Sequence, residues 1–352
     1  MDNERLYIKD VSKLLGISEN KIRFYEKKGL IKPERTESDY RIFIKDDIVR
    51  LQMIIIYREL GFSIADIEDV LKRGVKENIL DHFHNQWRII NREIDRLRVM
   101  RKEVENTLDS IYESSDSQVS SIILSKMHYL LEERNIRDGW KDKWNFDESA
   151  MDYDNLVKDG EGELGIYKEY KKFLSQTYSL TISECKKDNP RILEIGVGTG
   201  NLSEYFLKSN IDIIGIDQSR EMIKIAKNKY PHFKIRLGEF LKIPYDNKEF
   251  DNIVSTYAFH HLNADEKYQS IMEMKRVLKK DGKIIISDLM FHNNYDKNKF
   301  CSKLSEEGKR LLEDEYYTIV EELGSMICAL SMSIEYIKFD EIKGTIIISN
   351  KI

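Results

Sequence analysis

The sequence has few cysteines, few prolines and no long hydrophobic run. Its three cysteines, Cys185, Cys301 and Cys328, lie far apart without paired spacing, which argues against a disulfide framework and a zinc site. No window approaches the ~18 apolar residues of a membrane span, and the amino terminus carries no apolar leader. We therefore expect a cytoplasmic protein with no metal site and no membrane partner.

The composition is that of a globular protein with more than one domain. Of its 352 residues, 41% are hydrophobic and 34% are charged, enough for two domains and a connector. The net charge of −5 is unevenly distributed. Residues 1–112 contain 22 Lys and Arg against 21 Asp and Glu, whereas the remaining residues contain 35 against 41. A polyanionic partner is therefore expected at the amino-terminal part of the chain.

Neither glycine nor proline occurs in residues 76–112, where a helix can continue without interruption. Apolar residues there alternate three and four apart, with Arg101 as the polar interruption: Leu80, Phe83, Trp87, Ile90, Ile94, Leu97, Val104, Leu108 and Ile111. This heptad spacing predicts a helix over about residues 77–112, roughly 50 Å long. Because the apolar stripe is narrow and its flanks are charged, we expect a dimerisation helix. Packing within a bundle of the same chain is the alternative.

The first 75 residues have the outline of a helix-turn-helix. The pattern predicts a helix over residues 7–15, a turn over 16–18, and a second helix from Glu19 to about Lys28 with Ser18 as its N-cap. Two short helices joined by a glycine-containing turn are typical of this motif, whose second helix enters the major groove. Residues 31–43 fit a small wing. Two further helices are expected at 46–60 and 63–72.

Three segments in this region carry a family resemblance. ISENKIRFYEKKGLI, ESDYRIF and RELGFSIADI occur in this order and are followed by the heptad helix. Together they resemble the DNA-binding end of the MerR family of transcriptional regulators. The resemblance implies an all-α, winged helix-turn-helix head, a homodimer joined by an antiparallel coiled coil, and a palindromic double-stranded promoter shared with RNA polymerase.

The same resemblance implies which side chains contact DNA. Those expected to bind phosphates are Arg23, Tyr25, Tyr40 and Arg41. Those expected to read base edges from the recognition helix are Ser18, Asn20 and Lys21. For Arg23 and Tyr25, the alternative is that they only hold the second helix onto the wing.

Residues 191–200, RILEIGVGTG, read as a buried strand that runs into glycines. Such glycines let the backbone approach a ligand at the carboxyl end of a first strand, beside a helix amino terminus. A second strand ends in Asp217, about 20 residues past the first glycine, where a carboxylate can accept both ribose hydroxyls. The pattern indicates an α/β fold that binds a nucleotide-type ligand. A dinucleotide site is the competing interpretation, but its usual spacing places a small residue at Asn201.

Further segments indicate which nucleotide-type ligand the fold binds. The pattern ExGxGxG followed by GIDQS resembles class I S-adenosylmethionine-dependent methyltransferases, as do RLGEFLKIPYDNKEFDNIVSTYAFHHL and KRVLKKDGKIIISDLMF. The resemblance implies a Rossmann-like domain with a seven-stranded sheet, closed by an antiparallel hairpin at residues 334–339 and 345–349. It also implies S-adenosyl-L-methionine, or its product S-adenosyl-L-homocysteine, as the bound cofactor.

The resemblance places one set of residues around that cofactor: Glu194, Gly196, Gly198, Gly200, Asp217, Gln218, Met222, Glu239, Phe240, Thr256 and Tyr153. Glu239 is expected at the adenine amino group, with Phe240 beside the ring. Tyr153 lies in a segment, residues 146–157, that resembles the family's amino-terminal cap and is expected to close over the cofactor.

Methyl transfer requires little chemistry from the protein, because the sulfonium is already activated and alignment of the acceptor supplies most of the acceleration. A general base helps only where the acceptor carries a proton. Tyr257, His260 and His261 follow the fourth strand, where the acceptor pocket is expected, and we take His260 and Tyr257 as the candidate catalytic residues. The alternative for His260 is that it only holds its own loop. The acidic carboxyl-terminal part argues against DNA as the acceptor.

The sequence therefore predicts a multidomain protein. The expected parts are a DNA-binding domain (1–75), a coiled-coil dimerisation helix (76–112), a linker with a short helix (113–140) and a class I methyltransferase domain (141–352). The predicted function is that of a DNA-binding transcriptional regulator. Its effector domain is expected to bind S-adenosylmethionine and to methylate a small molecule, which can be the inducer itself. A regulator that senses S-adenosylmethionine or S-adenosylhomocysteine without turnover is the alternative.

Overall fold

A computed structural model describes most of the chain. The described residues are 5–73, 79–113, 144–159, 162–185, 187–313 and 315–351. They form two compact units, Met1–Ile94 and Asp95–Ile352. The predicted linker, apart from Glu113, lies outside the described residues, and so does the short helix expected within it.

The first unit begins with the predicted helix-turn-helix and wing. Its elements are α1 Ile8–Leu15, α2 Glu19–Lys27, β1 Glu34–Arg35, β2 Arg41–Ile42, α3 Lys45–Glu59 and α4 Ile64–Arg73. Gly16 ends α1 in the left-handed conformation, with φ of 65°, which glycine adopts without steric cost. The Ser18 hydroxyl then accepts a hydrogen bond from the Lys21 N–H at 3.3 Å. The two strands pair antiparallel, so the predicted wing is present.

One apolar core holds these short elements together. Val11, Ile22, Phe43, Tyr57 and Ile67 come from different segments and are all fully buried. Because elements of eight to fifteen residues are marginal alone, this shared burial is what stabilises them. The core leaves the polar face of α2 exposed to solvent.

The long helix is present as α5, Ile79–Glu113, and its 35 residues correspond to about 52 Å. The exposed large apolar residues on the predicted heptad stripe are Phe83, Ile94, Leu97, Val104 and Leu108, with exposed fractions between 38% and 59%. A narrow stripe of this kind is typical of a helix that pairs with another. Among the helices that the structure describes, none has the length and apolar character needed to cross a bilayer.

The second unit is built on a mixed sheet. Its strands are β3 Arg191–Ile195, β4 Asp212–Asp217, β5 Lys234–Leu237, β6 Phe250–Thr256, β7 Leu278–Phe291, β8 Thr318–Ile319, β9 Met332–Lys338 and β10 Lys343–Asn350. Seven strands follow the order β5-β4-β3-β6-β7-β10-β9, and the short β8 pairs with β7. The first five run parallel to one another, whereas β10 runs antiparallel to β7 and β9. The predicted seven-stranded sheet and its closing hairpin are confirmed.

Helices connect and cover these strands. They are α6 Phe146–Asp159, α7 Tyr170–Ser183, α8 Ser203–Lys208, α9 Arg220–Lys229, α10 Ala264–Val277, α11 Asn294–Cys301, α12 Glu306–Glu313 and α13 Val320–Ala329, with a 3₁₀ turn at Phe259–His261. Strand β6 is buried at all seven positions, so both faces of the sheet are covered there. The apolar runs of β4 and β7 are likewise buried, whereas β6 also buries polar residues such as Asp251 and Asn252.

The strand order reverses between β3 and β6. From β3 the chain moves to β4 and β5 on one side, then returns to β6 and β7 on the other. The loops that leave the carboxyl ends of β3 and β6 therefore diverge and open a crevice, the position at which such sheets bind ligands.

Ile346 gives a test of the packing of this sheet. It lies on β10, opposite Ile286 of β7 and Tyr336 of β9, and is fully buried. We expect Ile346→Ala to lower the free energy of unfolding by about 2–5 kcal/mol, because it leaves a cavity in the core. Urea denaturation followed by circular dichroism measures the change. Leu311→Ala, at a side chain 49% exposed, is the control and should cost less than about 0.5 kcal/mol. Equal losses in both variants would contradict this packing.

Candidate functional site

A cavity of about 270 Å³ lies at the carboxyl ends of β3, β4 and β6. This volume is just below the ~300–1,000 Å³ typical of small-molecule sites. The predicted site residues that line it are Tyr153, Gly196, Gly198, Asp217, Gln218, Met222, Glu239, Phe240, Thr256, Tyr257 and His260. The structure therefore brings together eleven residues that are spread over more than 100 positions of the sequence.

The loop after β3 forms one wall of the cavity. Gly196 and Gly198 both have positive φ angles, 75° and 54°. A Cβ atom at Gly196 would lie 2.5 Å from the Cβ of Ala258, so this position requires glycine for space as well as conformation. A Cβ atom at Gly198 would have no heavy atom within 4 Å. The loop thus leaves open space beside Gly198 for a ligand.

Two residues expected at the cofactor, Glu194 and Gly200, do not line the cavity. Glu194 is buried and accepts a hydrogen bond from the Ser203 hydroxyl. Burial raises the pKa of Glu194 to about 8; the Ser203 hydrogen bond opposes this shift and the charge of Asp217 adds to it. A Cβ atom at Gly200 would lie 3.2 Å from the ring of Tyr230. Both residues support the loop from behind, and their contact with the cofactor stays a prediction.

Asp217 ends β4 with both carboxylate oxygens oriented by the backbone. One oxygen accepts from the Gly198 N–H and the other from the Ser219 N–H, each at 2.8 Å. Burial raises the pKa of Asp217 to about 6, although these hydrogen bonds oppose the shift. Each carboxylate oxygen has a second lone pair, so the group can also accept hydrogen bonds from a ligand's hydroxyls.

Helix α6 is attached to the glycine loop and to α9 by two carboxylates. Asp147 accepts from the Ser219 hydroxyl at 2.6 Å. Asp154 accepts from the Thr199 hydroxyl at 2.6 Å and from the Asn201 amide at 3.1 Å. These contacts position the helix that carries Tyr153 over the cavity. The sequence identified the cap segment but not these attachments, because nothing in its local pattern shows which loop a surface aspartate will meet.

Four tyrosines form a wall of the cavity. Tyr153 and Tyr170 lie with ring centroids 6.3 and 5.9 Å from that of Tyr167, and Tyr257 lies 5.7 Å from Tyr167 and 5.3 Å from Tyr170. Burial raises the pKa of Tyr167 to about 12, so the phenol is neutral at physiological pH. Tyr257 has a φ of 49°, an unfavourable angle for a bulky residue and one that occurs at functional sites. No motif in the sequence points to Tyr167 or Tyr170 as residues of the site.

His260 is held by a buried aspartate on β7. Its Nδ1 lies 2.6 Å from one carboxylate oxygen of Asp288, and the other oxygen accepts from the backbone N–H groups of Ala258, Phe259 and His260. Burial alone would raise the pKa of Asp288, but the His260 imidazole, the Leu289 N–H and His261 together lower it below its usual value. With Nδ1 engaged, Nε2 is the ring nitrogen available to a ligand in the cavity. The sequence signal for Asp288 is a charged residue inside the apolar strand IIISDLM.

His261 lies beside this pair. Its Nδ1 is 3.2 Å from a carboxylate oxygen of Glu315, and its ring centroid is 4.0 Å from that of His260. The rings of Trp144 and Phe146 lie 4.4 and 4.9 Å from it. Burial lowers the pKa of His261, as does the neighbouring His260, whereas Glu315 opposes the shift. The site therefore has a second polar centre, formed from two distant parts of the chain.

The predicted DNA-binding residues occupy different environments. Arg23 is exposed and contacts Glu19 and Asn20 on its own helix, whereas Arg41 pairs with Glu26 at 2.6 Å. The predicted DNA-binding residues that are exposed on the first unit are Ser18, Asn20, Lys21, Arg23 and Tyr40. Tyr25 is only 4% exposed and packs in the core. This burial favours the packing alternative for Tyr25, and its phosphate contact stays a prediction.

Glu194 gives a prediction about pH. Its pKa is about 8 in the folded protein and close to 4.5 when unfolded, so the fold disfavours its charged form. The stability linked to this group is complete below pH ~4.5 and is lost as the pH rises towards 8. Glu194→Gln cannot ionise, so we expect a smaller fall in the urea midpoint between pH 5 and pH 8 than in the wild type.

The exposed Glu335 supplies the control for this measurement. Glu335→Gln should keep the wild-type dependence on pH, because its carboxylate is solvated in both states. If the urea midpoint of Glu194→Gln also fell between pH 5 and pH 8 by as much as that of the wild type, the burial of an ionisable carboxyl beneath the loop would be refuted.

Three family models match the chain. A model described as "Methyltransferase domain" matches residues 193–286. Models described as "MerR HTH family regulatory protein" and "MerR, DNA binding" match residues 6–74 and 48–107. The MerR-type matches lie amino-terminal to the methyltransferase match, in the order that the sequence motifs predict.

Individual proteins resemble the carboxyl-terminal part. An uncharacterized methyltransferase from Alkaliphilus oremlandii (strain OhILAs) is 37% identical over 201 residues, which are 56% of this chain and 91% of the relative. One from Oceanobacillus iheyensis is 37% identical over 182 residues, 50% of this chain and 82% of the relative. The solved CcbJ methyltransferase from Streptomyces caelestis is 15% identical, with a TM-score of 0.47, and the similarity covers 60% of this chain and all of that one. The chain thus belongs to the methyltransferase family through its carboxyl-terminal part and carries a MerR-type helix-turn-helix region at its amino-terminal end.

Proposed function

We propose that this protein is a transcriptional regulator whose methyltransferase domain binds S-adenosyl-L-methionine and methylates a small molecule. The observation that carries the proposal is the cavity at the strand-order reversal. It has a preoriented carboxylate, Asp217, among its lining residues and a carboxylate-held imidazole, His260, after the neighbouring strand β6. A nucleoside ligand and a second reactant can bind side by side in such a crevice.

The residues present fit the cofactor. Asp217 would accept the ribose hydroxyls, and Met222, Glu239 and Phe240 would surround the adenine. The open space at Gly198 would take the methionine part, which has no pyrophosphate and needs no anion-binding cradle. When bound, S-adenosyl-L-methionine supplies an activated methyl group on a sulfonium; its product is S-adenosyl-L-homocysteine. Helix α6 would close over the cofactor through Tyr153.

The acceptor would lie at the end of the cavity formed after β6. His260 and Tyr257 are the residues we propose to contact it, and Trp144 and Phe146 provide apolar surface beside them. The Asp288 carboxylate holds the imidazole in one orientation, so Nε2 would already be positioned when the acceptor binds. The cavity must hold cofactor and acceptor together, and its volume of about 270 Å³ therefore supports a small acceptor.

The amino-terminal region supports a dimeric, DNA-bound regulator. The exposed apolar stripe on α5 would pair with a second copy as an antiparallel coiled coil. A two-fold symmetric homodimer matches a palindromic promoter, where it would act on RNA polymerase in the cytoplasm. Ligand binding would change transcription only where the ligand prefers one state of the dimer. The ligand can be the cofactor, the methyl acceptor or an inducer.

Gly198→Arg tests the cofactor site. The substitution adds a long side chain at a position with φ of 54° on the cavity wall, so we expect calorimetry to show loss of S-adenosylmethionine and S-adenosylhomocysteine binding. The dimer and most of the promoter affinity should remain, because the DNA-binding residues lie elsewhere in the chain. Promoter binding is then measured with and without each ligand.

Gly162→Arg is the matched control. Gly162 is exposed and is not among the lining residues, and a Cβ atom there would meet no heavy atom within 4 Å. Its cofactor binding should equal that of the wild type. Wild-type affinity in Gly198→Arg would rule out the proposed cradle.

Arg23→Ala tests the DNA contact. Arg23 is exposed on α2, and removal of a phosphate-binding cation should weaken binding by a similar factor on every operator sequence. The slope of log affinity against log salt concentration should fall by about 1. Fluorescence anisotropy with labelled promoter fragments at several salt concentrations gives both values. Arg310→Ala, at an exposed arginine of the methyltransferase domain, is the control and should change neither. A loss confined to one base position would instead make Arg23 a base reader.

A further inference from the structure

We propose that His260, His261 and Glu315 bind one divalent transition-metal ion at the acceptor end of the cavity. The three residues each offer a ligand atom, and these atoms lie within 4.8 Å of one another. All three line the cavity. The inference rests on the proposed methyltransferase function and deepens it, because it names the group that would hold the acceptor.

The geometry is close to that of a bound ion. Donor atoms around one ion at ~2.0–2.2 Å lie roughly 3–3.5 Å apart, so the three ligand atoms need to close by only about 1–2 Å. His261 and Glu315 already meet this spacing at 3.2 Å. His260 and His261 share the short turn Phe259–His261, and their ring centroids already lie 4.0 Å apart.

The residues around His260 and His261 resemble those that surround histidine ligands in metal sites. Histidine ligands commonly donate their second ring N–H to a carboxylate, which fixes the ring and strengthens the donor. His260 has this arrangement with Asp288 at 2.6 Å, so Nε2 is its ligand atom. Trp144 and Phe146 lie against His261 and give an apolar shell that limits access of water.

The ligand types select the class of ion. Two imidazole nitrogens and one carboxylate suit Zn²⁺, Fe²⁺ and related transition metals, whereas Mg²⁺ and Ca²⁺ prefer oxygen ligands alone. Three protein ligands also leave at least one coordination position open, as in catalytic metal sites. Because all three ligands line the cavity, an acceptor bound there would be the group to occupy that position.

The ion would act on an acceptor with a hydroxyl or thiol group. Coordination lowers the pKa of such a group, so its proton leaves to solvent at neutral pH. A lone pair of the oxygen or sulfur then forms a bond to the methyl carbon while the carbon–sulfur bond of the sulfonium breaks. The products are the methylated acceptor and a neutral thioether, and no oxidant or reductant is needed.

This proposal departs from our expectation from the sequence that no metal is bound. That expectation rested on the cysteines, which have no metal-binding spacing. Glu315 is 54 residues from His261, and no sequence pattern connects them. Only the packing of the segment after α12 against the turn after β6 brings the ligands together.

The test is calorimetry with Zn²⁺ on the full chain after treatment with a chelator. We expect one Zn²⁺ per chain. His261→Ala and Glu315→Gln should each weaken binding by more than the ~10–100-fold that loss of an outer-shell partner costs. His232→Ala, at an exposed histidine outside the cavity, is the control and should bind as the wild type does. Co²⁺ in place of Zn²⁺ should give a spectrum without thiolate-to-metal charge transfer, which excludes the cysteines as ligands.

The outcomes separate this proposal from the proposed function. Loss of Zn²⁺ binding in both variants, with S-adenosylmethionine binding retained, supports the metal site. Equal Zn²⁺ affinity in wild type, His261→Ala and Glu315→Gln overturns it and leaves His260 as an unaided base. Zn²⁺ binding without any S-adenosylmethionine binding would contradict the proposed function but would still support the metal site. Glu315→Gln preserves side-chain size and carries the test if His261→Ala fails to fold.

Discussion

The arrangement of the turn after β6 depends on one buried carboxylate, that of Asp288. A buried charge without partners is destabilising by several kcal/mol. Here the backbone N–H groups of Ala258, Phe259 and His260, together with the His260 imidazole, compensate it. The same contacts turn the chain sharply after β6 and orient His260. The hydrogen bonds that compensate the Asp288 charge are therefore the same ones that position His260.

The cofactor side depends on a similar use of carboxylates. Asp217 joins the end of β4 to the glycine loop through the Gly198 N–H, and Asp147 and Asp154 attach helix α6 to the loops beneath it. Each acidic group accepts donors from a different segment, so the cavity walls hold one another in place. The glycines matter because they remove side chains where these segments approach most closely, as Gly196 does against Ala258.

The sheet of the methyltransferase domain and the long helix α5 present different physical problems. The methyltransferase domain buries its sheet on both faces, as the fully buried β6 shows, and contains a formed cavity. Helix α5, in contrast, exposes Leu97, Val104 and Leu108 along one stripe. An apolar stripe in water is unfavourable until another helix covers it. Dimerisation, in our proposal, is thus the step that completes the helix and gives the regulator the symmetry of its promoter.

The sequence by itself determined the order and type of the elements, because the heptad spacing, the glycine turn at Gly16 and the glycines after β3 are local signals with a direct conformational meaning. Eleven of the thirteen cofactor and catalytic residues predicted from it line the cavity, since loops at the ends of adjacent parallel strands must meet. The tertiary structure alone decided that Tyr25 lies in the core, that Glu194 and Gly200 lie behind the loop, and that Glu315 meets His261. Those outcomes depend on packing between segments far apart in the chain, where burial and charge compensation, rather than local conformational preference, decide which side chains come into contact.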